Sequence, residues 1–429
     1  MVARRLGITG DWSRRALDAA QLTALVHTVR HALDGSRFYR EHLAGLEPES
    51  LGNGVELSQL PFLTATDIIH SGPELQCVSQ SQVARVVSLQ TSGSTGPPKR
   101  LLFTAADLAA TLDFFAIGMQ NLVTSHDRVL VMLPFVPPDS VDNLLIRALA
   151  GQGIAARGLW PPQPLTPEFI RSNRPTCAVG LPQHLLALAE AVGPGQFRTM
   201  LLSSDYAPPA IRARIEESCG ATTFLHYGTT ESGLAGAVEC SRHDGCHIRE
   251  SDLLIEIIEP HSGELLPDGA LGEVVLTTLG REAMPLIRYR TGDLARLTHS
   301  PCACTGITAR LWDIRGRMRG CRIGTKELYS QDLDDVLWQI RGLLDYRATV
   351  DRQTTDRLNI TYLAAPGTDR LDRQITTSVA RIPAVQEMLA TGSLVLGDVG
   401  HSESFTASHT GKRSIVDQRD KGDADARSS

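Results

Sequence analysis

The sequence predicts an α/β protein with a large N-terminal domain and a small α+β domain after it. Strand-like and helix-like segments alternate between about residues 85 and 220, which is typical of βαβ units and a mostly parallel sheet. From Leu253 onward, short β-rich segments are separated by turns, which predicts a β-barrel-like subdomain. A helix and further strands follow Arg317 and predict the small α+β domain.

These changes in pattern give the expected domain boundaries. The chain has 429 residues, and a single core stops growing at roughly 250–300 residues, so two or three domains are expected. We expect the N-terminal domain at 1–317, with the β-rich subdomain at 253–315, and a mobile C-terminal domain at 318–416. The polar, charged residues 417–429 predict a disordered tail.

The individual elements follow from apolar periodicity and cap signals. Apolar residues at helical spacing between Ala16 and Leu33 predict a helix, and Thr104 is a candidate N-cap for another. The segment Ala84–Leu89 predicts a buried strand. The further predicted strands are Arg128–Leu133, Cys177–Leu181, Met200–Ser203, Leu253–Ile258, Glu273–Thr278, Leu286–Arg290 and Asn359–Leu363, with one more near Thr349. The further predicted helices are Ala105–Gln120, Asp142–Gly151, Gln183–Val192, Pro209–Cys219 and Asp332–Ile340.

Composition excludes several classes of protein. The net charge is −6 with no long basic run, so a nucleic-acid partner is not expected. No apolar run reaches the roughly 18 residues of a membrane helix, so no membrane association is expected, and no apolar segment follows Met1–Gly10 to form a signal peptide. The eight cysteines are irregularly spaced, which favours a reducing, cytoplasmic location.

A loop rich in hydroxyl groups and glycines lies between two β-like segments. Exposed N–H groups and hydroxyls in such a turn can bind phosphate, and Lys99 adds a positive charge. No Gly-Lys-Ser/Thr opens a helix after it, so it is not a Walker A loop. The alternative is a flexible linker. The loop residues are Thr91, Ser92, Gly93, Ser94, Thr95 and Gly96.

Two later motifs end in carboxylates that could bind a metal or a ligand. Glu231 ends the segment His226–Glu231 after a strand-like run, and Mg²⁺ needs one or two protein oxygens beside substrate phosphates. The alternative for this segment is a helix-starting cap. Asp293 ends the segment Arg288–Asp293, where a carboxylate at the end of a strand can accept two hydrogen bonds from a diol, and the alternative is an ordinary Thr-Gly-Asp turn.

These motifs, taken in order, resemble the adenylate-forming (acyl/aryl-CoA ligase) superfamily. The sequence of residues 264–279 and 282–290 is similar to that of phenylacetate-CoA ligases and coenzyme F390 synthetases. The segment Ser36–Arg40 resembles an N-terminal motif of that branch. Gly411-Lys412 resembles its C-terminal lysine motif. Similarity covers roughly 35–340 and the Lys412 motif.

The resemblance implies residue roles. It implies that Lys412, Thr230, Glu231 and Lys99 are catalytic and that Glu231 holds Mg²⁺. The Thr91–Gly96 loop would bind phosphate, Tyr227 would stack on adenine and Asp293 would bind ribose. Further nucleotide-binding residues would be Ser204, Asp205, Gly228, Thr229 and Arg317. The acid would contact Phe135, Gly180, Leu181 and Pro182.

The implied reaction is activation of a small carboxylic acid by ATP, and the resemblance implies an aryl acid. Pyrophosphate is released, and the acyl-adenylate then reacts with CoA. The alternatives are transfer to a carrier-protein thiol, an F390 synthetase-like adenylyl transfer, or a catalytically reduced nucleotide-binding regulatory protein. Relatives also include homodimers, although no feature of the sequence specifies one.

Three cysteines and one histidine form a candidate zinc site. Thiolate and imidazole ligands suit structural Zn²⁺, although their spacing is not a standard zinc motif and buried cysteines without metal are the alternative. The candidate ligands are Cys240, His247, Cys302 and Cys304, with His243 and Cys246 in reserve.

The sequence departs from the family pattern at four places, one of which is Gly324-Thr325-Lys326 in place of a usual Arg-Gly. Met318-Arg319-Gly320 follows Gly316-Arg317 where the family has a hinge aspartate, so the thioester step is the one in question. Ser204–Ala207 replaces a usual Gly-(Ala/Gly)-Glu-Pro segment. Pro134–Ser140 replaces a Gly/Tyr-rich stretch, which predicts a changed acid pocket.

Overall fold

The computed structural model describes residues 1–10, 12–89, 98–134, 140–160, 167–317, 320–405 and 412–419. The chain divides into two compact units. Unit 1 comprises Met1–Asp127, Phe135–Ala156 and Phe224–Arg317, and unit 2 comprises Arg128–Pro134, Arg157–Thr223 and Met318–Ser429. Each unit is described separately below, and the predicted domain boundaries remain a prediction.

Helices and strands alternate through much of the described chain, as expected for an α/β protein. The helices are α1 (Val2–Arg5), α2 (Arg14–Gly35), α3 (Arg37–His42), α4 (Ala65–Ser71), α5 (Ala105–Met119), α6 (Val141–Ala150), α7 (Pro167–Asn173), α8 (Pro182–Val192), α9 (Pro209–Cys219), α10 (Ser330–Leu337), α11 (Asp372–Val379) and α12 (Pro383–Ala390). The strands are β1 (Arg85–Leu89), β2 (Lys99–Phe103), β3 (Arg128–Met132), β4 (Ala155–Gly158), β5 (Cys177–Gly180), β6 (Thr199–Leu202), β7 (Thr222–Tyr227), β8 (Ala237–Glu239), β9 (Cys246–Ile248), β10 (Leu253–Ile258), β11 (Leu271–Thr278), β12 (Tyr289–Thr298), β13 (Arg310–Arg317), β14 (Gly320–Ile323), β15 (Lys326–Tyr329), β16 (Leu343–Arg352), β17 (Asp356–Ala364), β18 (Leu394–His401) and β19 (Ile415–Asp417).

Most predicted elements are confirmed within a few residues. Helix α5 begins after Thr104, whose hydroxyl accepts a hydrogen bond from the Asp107 amide at 3.1 Å, so the predicted N-cap is confirmed. The Asp107 carboxylate in turn accepts a hydrogen bond from the Thr104 amide at 2.9 Å, which completes a capping box.

Unit 1 contains an antiparallel sheet that carries the candidate nucleotide site. Its strands are ordered β10–β11–β12–β13–β9–β8–β7, and each neighbouring pair is antiparallel. Strands β10 to β13 are the antiparallel strands predicted for 253–315. Strand β12 alternates buried and half-buried residues, which places Tyr289, Thr291 and Asp293 on its buried face.

Two expectations about unit 1 are wrong. Strand β1 is not a buried strand, because it pairs with β2 in a two-stranded ribbon that leaves Val86 47% exposed. The strand predicted at Leu286–Arg290 begins later, at Tyr289, because Arg288 has a left-handed backbone with φ of 51°. The Leu286 amide instead donates to the Thr278 hydroxyl at 2.9 Å.

A buried tyrosine of the N-terminal helices supports the entry to β12. Tyr39 in α3 is fully buried, and its hydroxyl donates to the Pro285 carbonyl at 2.9 Å. The same hydroxyl accepts a hydrogen bond from the Ile287 amide at 3.1 Å. Helix α3 therefore fixes the backbone immediately before the strand that carries Tyr289 and Asp293.

Unit 2 contains the predicted parallel sheet and the smaller mixed sheet. Strands β3, β5 and β6 are parallel neighbours, with Val129 opposite Cys177 and Cys177 opposite Thr199. The smaller sheet has the order β18–β17–β16–β19, in which β16 and β17 are antiparallel and the outer pairs are parallel. Strands β14 and β15 form an antiparallel pair.

The first three residues of the predicted tail, 417–419, are among the described residues. Asp417 ends β19, and Arg419 forms an ion pair with Asp356 at 2.7 Å. Residues 420–429 lie outside the described residues. Among the described helices, none combines the length and apolar character needed to cross a membrane.

Candidate active site

A buried ion pair between Lys99 and Glu231 forms the centre of the candidate site in unit 1. Lys99 starts β2 and is 3% exposed, while Glu231 follows β7 and is 1% exposed. The Lys99 ammonium donates to Glu231 Oε1 and, at 3.1 Å, lies against the Tyr289 hydroxyl. The Tyr289 hydroxyl donates to the same Glu231 oxygen at 3.0 Å. Burial makes these polar groups depend on one another, because water cannot replace a lost partner.

Arg317 adds a second cation to this cluster. Its Nη2 lies 3.4 Å from Glu231 Oε1, and its Nε donates to the Thr291 carbonyl at 3.0 Å. Burial alone raises the pKa of Glu231, but Lys99 and then Arg317 outweigh it and hold that pKa at about 2. Glu231 is therefore ionised at neutral pH. Burial, followed by the charge of Glu231, raises the pKa of Tyr289, so its hydroxyl stays protonated and can donate.

Asp293 and Tyr227 form a second buried pair in unit 1. Asp293 lies on β12, and its Oδ2 accepts a hydrogen bond from the Tyr227 hydroxyl at 2.9 Å. Arg317 Nε lies 3.9 Å from the other oxygen, Oδ1. Burial, followed by the charge of Asp293, raises the pKa of Tyr227 well above its usual value. The sheet thus brings Asp293 and Tyr227 together, with Arg317 linking them to Glu231.

The segment between Tyr227 and Glu231 is a turn. The alternative prediction of a helix starting at Thr229–Glu231 is wrong, because residues 230–233 form a turn that no helix follows. The Thr229 amide donates to the Ser232 hydroxyl at 3.0 Å and the Ser232 amide donates to the Thr229 hydroxyl at 3.1 Å, which closes this turn. A side chain at Gly228 would lie 2.8 Å from the Leu234 carbonyl oxygen, so this position requires glycine. Thr230 and Glu231 lie in the turn that follows it.

In unit 2, the predicted residues follow the carboxyl ends of two adjacent parallel strands. Gly180 ends β5 and is followed by Leu181 and Pro182, while Ser204 and Asp205 follow β6. Ligands of α/β proteins bind beyond such strand ends. Gly180 has little room for a side chain, since a Cβ would lie 3.1 Å from the Met132 carbonyl oxygen. Ser204 has an unusual left-handed backbone with φ of 72°.

Lys412 and its neighbour Arg413 belong to unit 2. Lys412 is exposed, whereas the Arg413 side chain is only 5% exposed. Other predicted residues lie outside the described residues: Thr91, Ser92, Gly93, Ser94, Thr95, Gly96 and Phe135.

The predicted zinc ligands converge in unit 1. One ligand atom from each of the four residues lies within 4.8 Å of all the others. The sulfur atoms of Cys240 and Cys302 are 3.8 Å apart, and Cys304 Sγ lies 3.2 Å from His247 Nε2. A tetrahedral site with Zn–S bonds of about 2.3 Å has sulfur atoms roughly 3.8 Å apart. The four residues are Cys240, His247, Cys302 and Cys304.

The surroundings of this cluster also suit a metal. His247 Nδ1 lies 2.8 Å from the Thr308 hydroxyl, which fixes the imidazole with Nε2 toward Cys304. The reserve residues have other contacts, since His243 pairs with Glu239 at 3.1 Å and the Cys246 thiol lies 3.6 Å from the Leu225 carbonyl. The donor set and its spacing therefore fit Zn²⁺.

Two residues of these sites were missed by the sequence analysis. Tyr289 lies inside a motif that was recognised, and its alternation with Thr291 and Asp293 could have placed it on the same face of a strand. Arg413 is adjacent to Lys412, but its partners lie at distant positions of the chain, so no local pattern identifies it.

Comparisons with known proteins identify the family of this chain. The AMP-binding enzyme family matches residues 16–280. The phenylacetate-coenzyme A ligase of Thermus thermophilus is 28% identical over 407 residues, which cover 88% of this chain and 89% of the relative. The phenylacetate-coenzyme A ligase of Aromatoleum evansii is 31% identical over 314 residues, which cover 66% of this chain and 67% of the relative.

A solved structure shows the same fold. The crystal structure of 2-hydroxyisobutyryl-CoA ligase in the postadenylation state, in complex with 2-HIB-AMP, matches with a TM-score of 0.77 at 21% identity. The match covers 97% of this chain and 93% of that one. The chain belongs to the AMP-binding enzyme family, in the branch that contains the phenylacetate-coenzyme A ligases.

Proposed function

We propose that this protein is an AMP-forming acid–thiol ligase. It activates a small carboxylic acid with ATP, releases pyrophosphate and transfers the acyl group to CoA. The observation that carries the proposal is the buried cluster of Lys99, Glu231 and Tyr289, which Arg317 links to the Asp293–Tyr227 pair. Membership of the AMP-binding enzyme family and similarity to phenylacetate-coenzyme A ligases support it.

The first half-reaction forms the acyl-adenylate. A carboxylate oxygen of the acid attacks the α-phosphorus of ATP, and the bond from that phosphorus to pyrophosphate breaks. The charge that develops on the phosphoryl oxygens requires fixed cations and donors. We assign this role to Lys99, to Lys412 and to the amides of the Thr91–Gly96 loop.

We assign nucleotide binding to the two buried pairs of unit 1. Asp293 accepts hydrogen bonds from the ribose hydroxyls, and the Tyr227 hydroxyl holds one of its oxygens in place at 2.9 Å. Arg317 contacts both carboxylates, which fixes their spacing. Thr229, Thr230 and Gly228 supply the turn that approaches the phosphates. In unit 2, Ser204 and Asp205 form the second nucleotide-binding segment.

Glu231 is the residue that holds Mg²⁺ in this proposal. Its contacts with Lys99, Tyr289 and Arg317 all involve Oε1, so Oε2 is the oxygen we assign to the metal. The depressed pKa of Glu231 keeps the carboxylate ionised, as a hard cation requires. Mg²⁺ held by Glu231 would supply positive charge beside the pyrophosphate leaving group.

The second half-reaction transfers the acyl group to a thiol. The thiolate attacks the acyl carbon, and AMP leaves with the electrons of the carbon–oxygen bond. We assign CoA as the acceptor. The missing hinge aspartate after Arg317 keeps three alternatives open: a carrier-protein thiol, an F390 synthetase-like adenylyl transfer, and a regulatory protein of reduced activity.

The acid binds in unit 2 beyond the ends of β5 and β6. We assign Gly180, Leu181 and Pro182 to binding of the acid, and we keep Phe135, which lies outside the described residues, as a further residue proposed to contact it. Similarity to phenylacetate-coenzyme A ligases supports an aryl acid. A cytoplasmic location and a homodimer also remain part of the proposal.

We also propose that Cys240, His247, Cys302 and Cys304 bind a structural Zn²⁺. Cys240 follows β8, His247 lies in β9, and the two other cysteines precede β13. The metal would thus join the loop before β13 to the adjacent strands. Because no member of this cluster belongs to the nucleotide site, its role would be stability and not catalysis.

ATP–pyrophosphate exchange over a panel of aryl and short acyl acids, with and without CoA, tests the proposed function. Exchange with one acid, and AMP release only after CoA is added, is the expected result. Exchange that CoA does not alter would favour another acceptor. Measurable ATP binding without exchange for any acid would contradict the ligase proposal.

A further inference from the structure

Arg413 is a buried cation with an unusually complete set of partners in unit 2. Its side chain is 5% exposed, and its Nε donates to Asp334 Oδ1 at 2.8 Å. Nη1 donates to Gln183 Oε1 at 2.6 Å, and Nη2 donates to the Tyr206 carbonyl at 3.0 Å. The planar guanidinium is therefore held in three directions, which a lysine ammonium on a flexible chain could not reproduce.

The Asp334 carboxylate that pairs with this guanidinium is also held by other groups. Asp334 in α10 is 2% exposed and also accepts hydrogen bonds from Trp338 Nε1 at 2.7 Å and from the Tyr346 hydroxyl at 2.9 Å. The Trp338 ring lies 5.0 Å from the guanidinium carbon, at cation–π distance. Neutral donors and an aromatic wall thus orient the carboxylate toward one cation.

On its other side, Arg413 contacts the segment after β6 that we assign to the nucleotide. The Arg413 amide donates to Asp205 Oδ2 at 3.1 Å, and its Nη1 lies 3.6 Å from the same oxygen. Tyr206 also bridges the same elements, because its hydroxyl donates to Asp335 in α10 at 2.7 Å. Asp205 and Tyr206 belong to the segment in which this sequence departs from the family pattern.

Lys412, the residue before Arg413, differs from it in exposure. The Lys412 side chain is exposed and carries the catalytic role assigned above. A long, flexible side chain reaches a reacting group more often when its backbone is fixed, because less conformational freedom is lost in the transition state. The contacts of Arg413 fix this backbone within one residue of Lys412.

We propose that Arg413 is a positioning residue for adenylation: its buried contacts with Asp334, Asp205 and Gln183 fix the backbone from which Lys412 acts. This inference rests on the proposed function. It predicts that Arg413 matters for the formation of the acyl-adenylate and much less for its reaction with CoA.

The test uses the full-length protein with Arg413→Met, Arg413→Lys and, as a matched control, the exposed Arg381→Met. Acid-dependent exchange reports adenylation, and thioester formation from a synthetic acyl-adenylate reports transfer alone. We expect Arg413→Met to lower kcat for exchange roughly 10- to 100-fold, with KM for ATP and the rate of transfer both within about 3-fold of wild type. Arg413→Lys should recover part of the exchange, and Arg381→Met should resemble wild type.

A second readout does not depend on activity. Endoproteinase Lys-C cleaves after lysine, and mass spectrometry of the intact protein measures the rate of cleavage after Lys412. For each protein, this rate is divided by the rate for the same protein unfolded in urea. We expect this normalised cleavage to be about 10-fold faster in Arg413→Met than in wild type.

Several outcomes would overturn the inference. Unchanged exchange in Arg413→Met would do so, as would an equal loss of both half-reactions together with a lower melting temperature, which indicates a merely structural role. If wild type itself shows no exchange with any acid, the proposed function fails. The protease comparison then still decides about Arg413, because equal cleavage of wild type and variant would overturn the fixed backbone.

Discussion

The Tyr289 hydroxyl donates a 3.0 Å hydrogen bond to Glu231 Oε1, the same oxygen that pairs with Lys99. Tyr289 therefore connects β12, which carries Asp293, to the turn that carries Glu231. Replacement by phenylalanine should lower the free energy of unfolding by about 1 kcal/mol, since one buried hydrogen bond is lost while the ion pair remains. Urea denaturation measures this change.

Tyr329→Phe is the matched control for this variant. The Tyr329 hydroxyl also contacts a glutamate, Glu327, but in an exposed position. Its loss should change the free energy of unfolding by less than about 0.5 kcal/mol. Equal effects of the two substitutions would show that burial of the Tyr289 contact has no energetic consequence.

The low pKa of Glu231 predicts a specific dependence of stability on pH. The pKa is about 2 in the folded protein against an ordinary value of 4.5, so the stabilisation is complete above 4.5 and is lost as the pH falls toward 2. Glu231→Gln leaves Lys99 and Arg317 without their carboxylate, and we expect it to cost roughly 3 kcal/mol at pH 7. The difference between wild type and variant should shrink below pH 4.5.

Denaturation of both proteins at pH 7 and at pH 3.5 measures this difference. The exposed Glu264→Gln is the control and should show a difference near zero at both values. A constant difference between wild type and Glu231→Gln across this range would contradict the assigned pKa shift.

The proposed contact of Asp293 with ribose can be tested with modified nucleotides. Asp293→Asn should weaken binding of ATP roughly 10-fold, because hydrogen bonds to an ionised carboxylate are lost. The same substitution should have little effect on binding of 2′,3′-dideoxy-ATP, which lacks both hydroxyls. Isothermal titration calorimetry on the four combinations gives the coupling.

Asp268→Asn controls for the loss of a charge. Asp268 is about half exposed and pairs with His299 at 2.9 Å, away from the Asp293–Tyr227 pair. Its replacement should change neither the affinity for ATP nor the affinity for 2′,3′-dideoxy-ATP. Equal weakening of both nucleotides by Asp293→Asn would remove ribose recognition from its role.

Lys412→Ala should abolish adenylation without abolishing nucleotide binding. We expect acid-dependent pyrophosphate exchange to fall at least 100-fold, since a cation that stabilises the developing charge is removed, while the Kd of ATP changes less than about 2-fold. Lys326→Ala is the control, because Lys326 is half exposed and pairs with Glu387 at 2.7 Å. Unaltered exchange in Lys412→Ala would exclude Lys412 from the mechanism.

The zinc proposal predicts about one zinc ion per chain in protein purified without chelator. Cys302→Ser should lose the metal and lower the melting temperature, because the loop before β13 is then no longer held to β9. Mass spectrometry of the metal content measures the first effect. Cys77→Ser, a half-buried cysteine outside the cluster, should keep the zinc. Absence of zinc from both wild type and the Cys77 variant would contradict the proposal.

Local sequence patterns predicted the positions of helices and strands better than they predicted the burial of these elements. Apolar periodicity and the Thr104 cap placed α5 correctly, since both signals lie within the helix. The burial of β1 was predicted wrongly, because burial depends on what the strand packs against, and Val86 has a hydrophobic side chain that is 47% exposed. The start of β12 was missed because the left-handed backbone of Arg288 interrupts an apolar run without any glycine.

The same distinction applies to the site. Glu231 and Asp293 could be proposed as site residues because each lies in a short motif, and the convergence of Cys240, His247, Cys302 and Cys304 could be predicted because their residue types are chemically distinctive. The role of Tyr289 depends on the pairing of β12 with its neighbours, and that of Arg413 on carboxylates far away in sequence. No local sequence pattern predicts the contact of Tyr289 with Glu231 or the contacts of Arg413 with its carboxylates.

The contact of Tyr39 with the backbone before β12 limits how far a working fragment of this protein can be trimmed. A recombinant piece cut after α3 would leave the buried Pro285 carbonyl and Ile287 amide without their partner, at a cost of roughly 1–3 kcal/mol for each unsatisfied group. A piece ended at residue 280, where the family match stops, would lack Tyr289, Asp293 and Arg317 altogether. The shortest fragment worth expressing for nucleotide binding should therefore start before α3 and extend past β13.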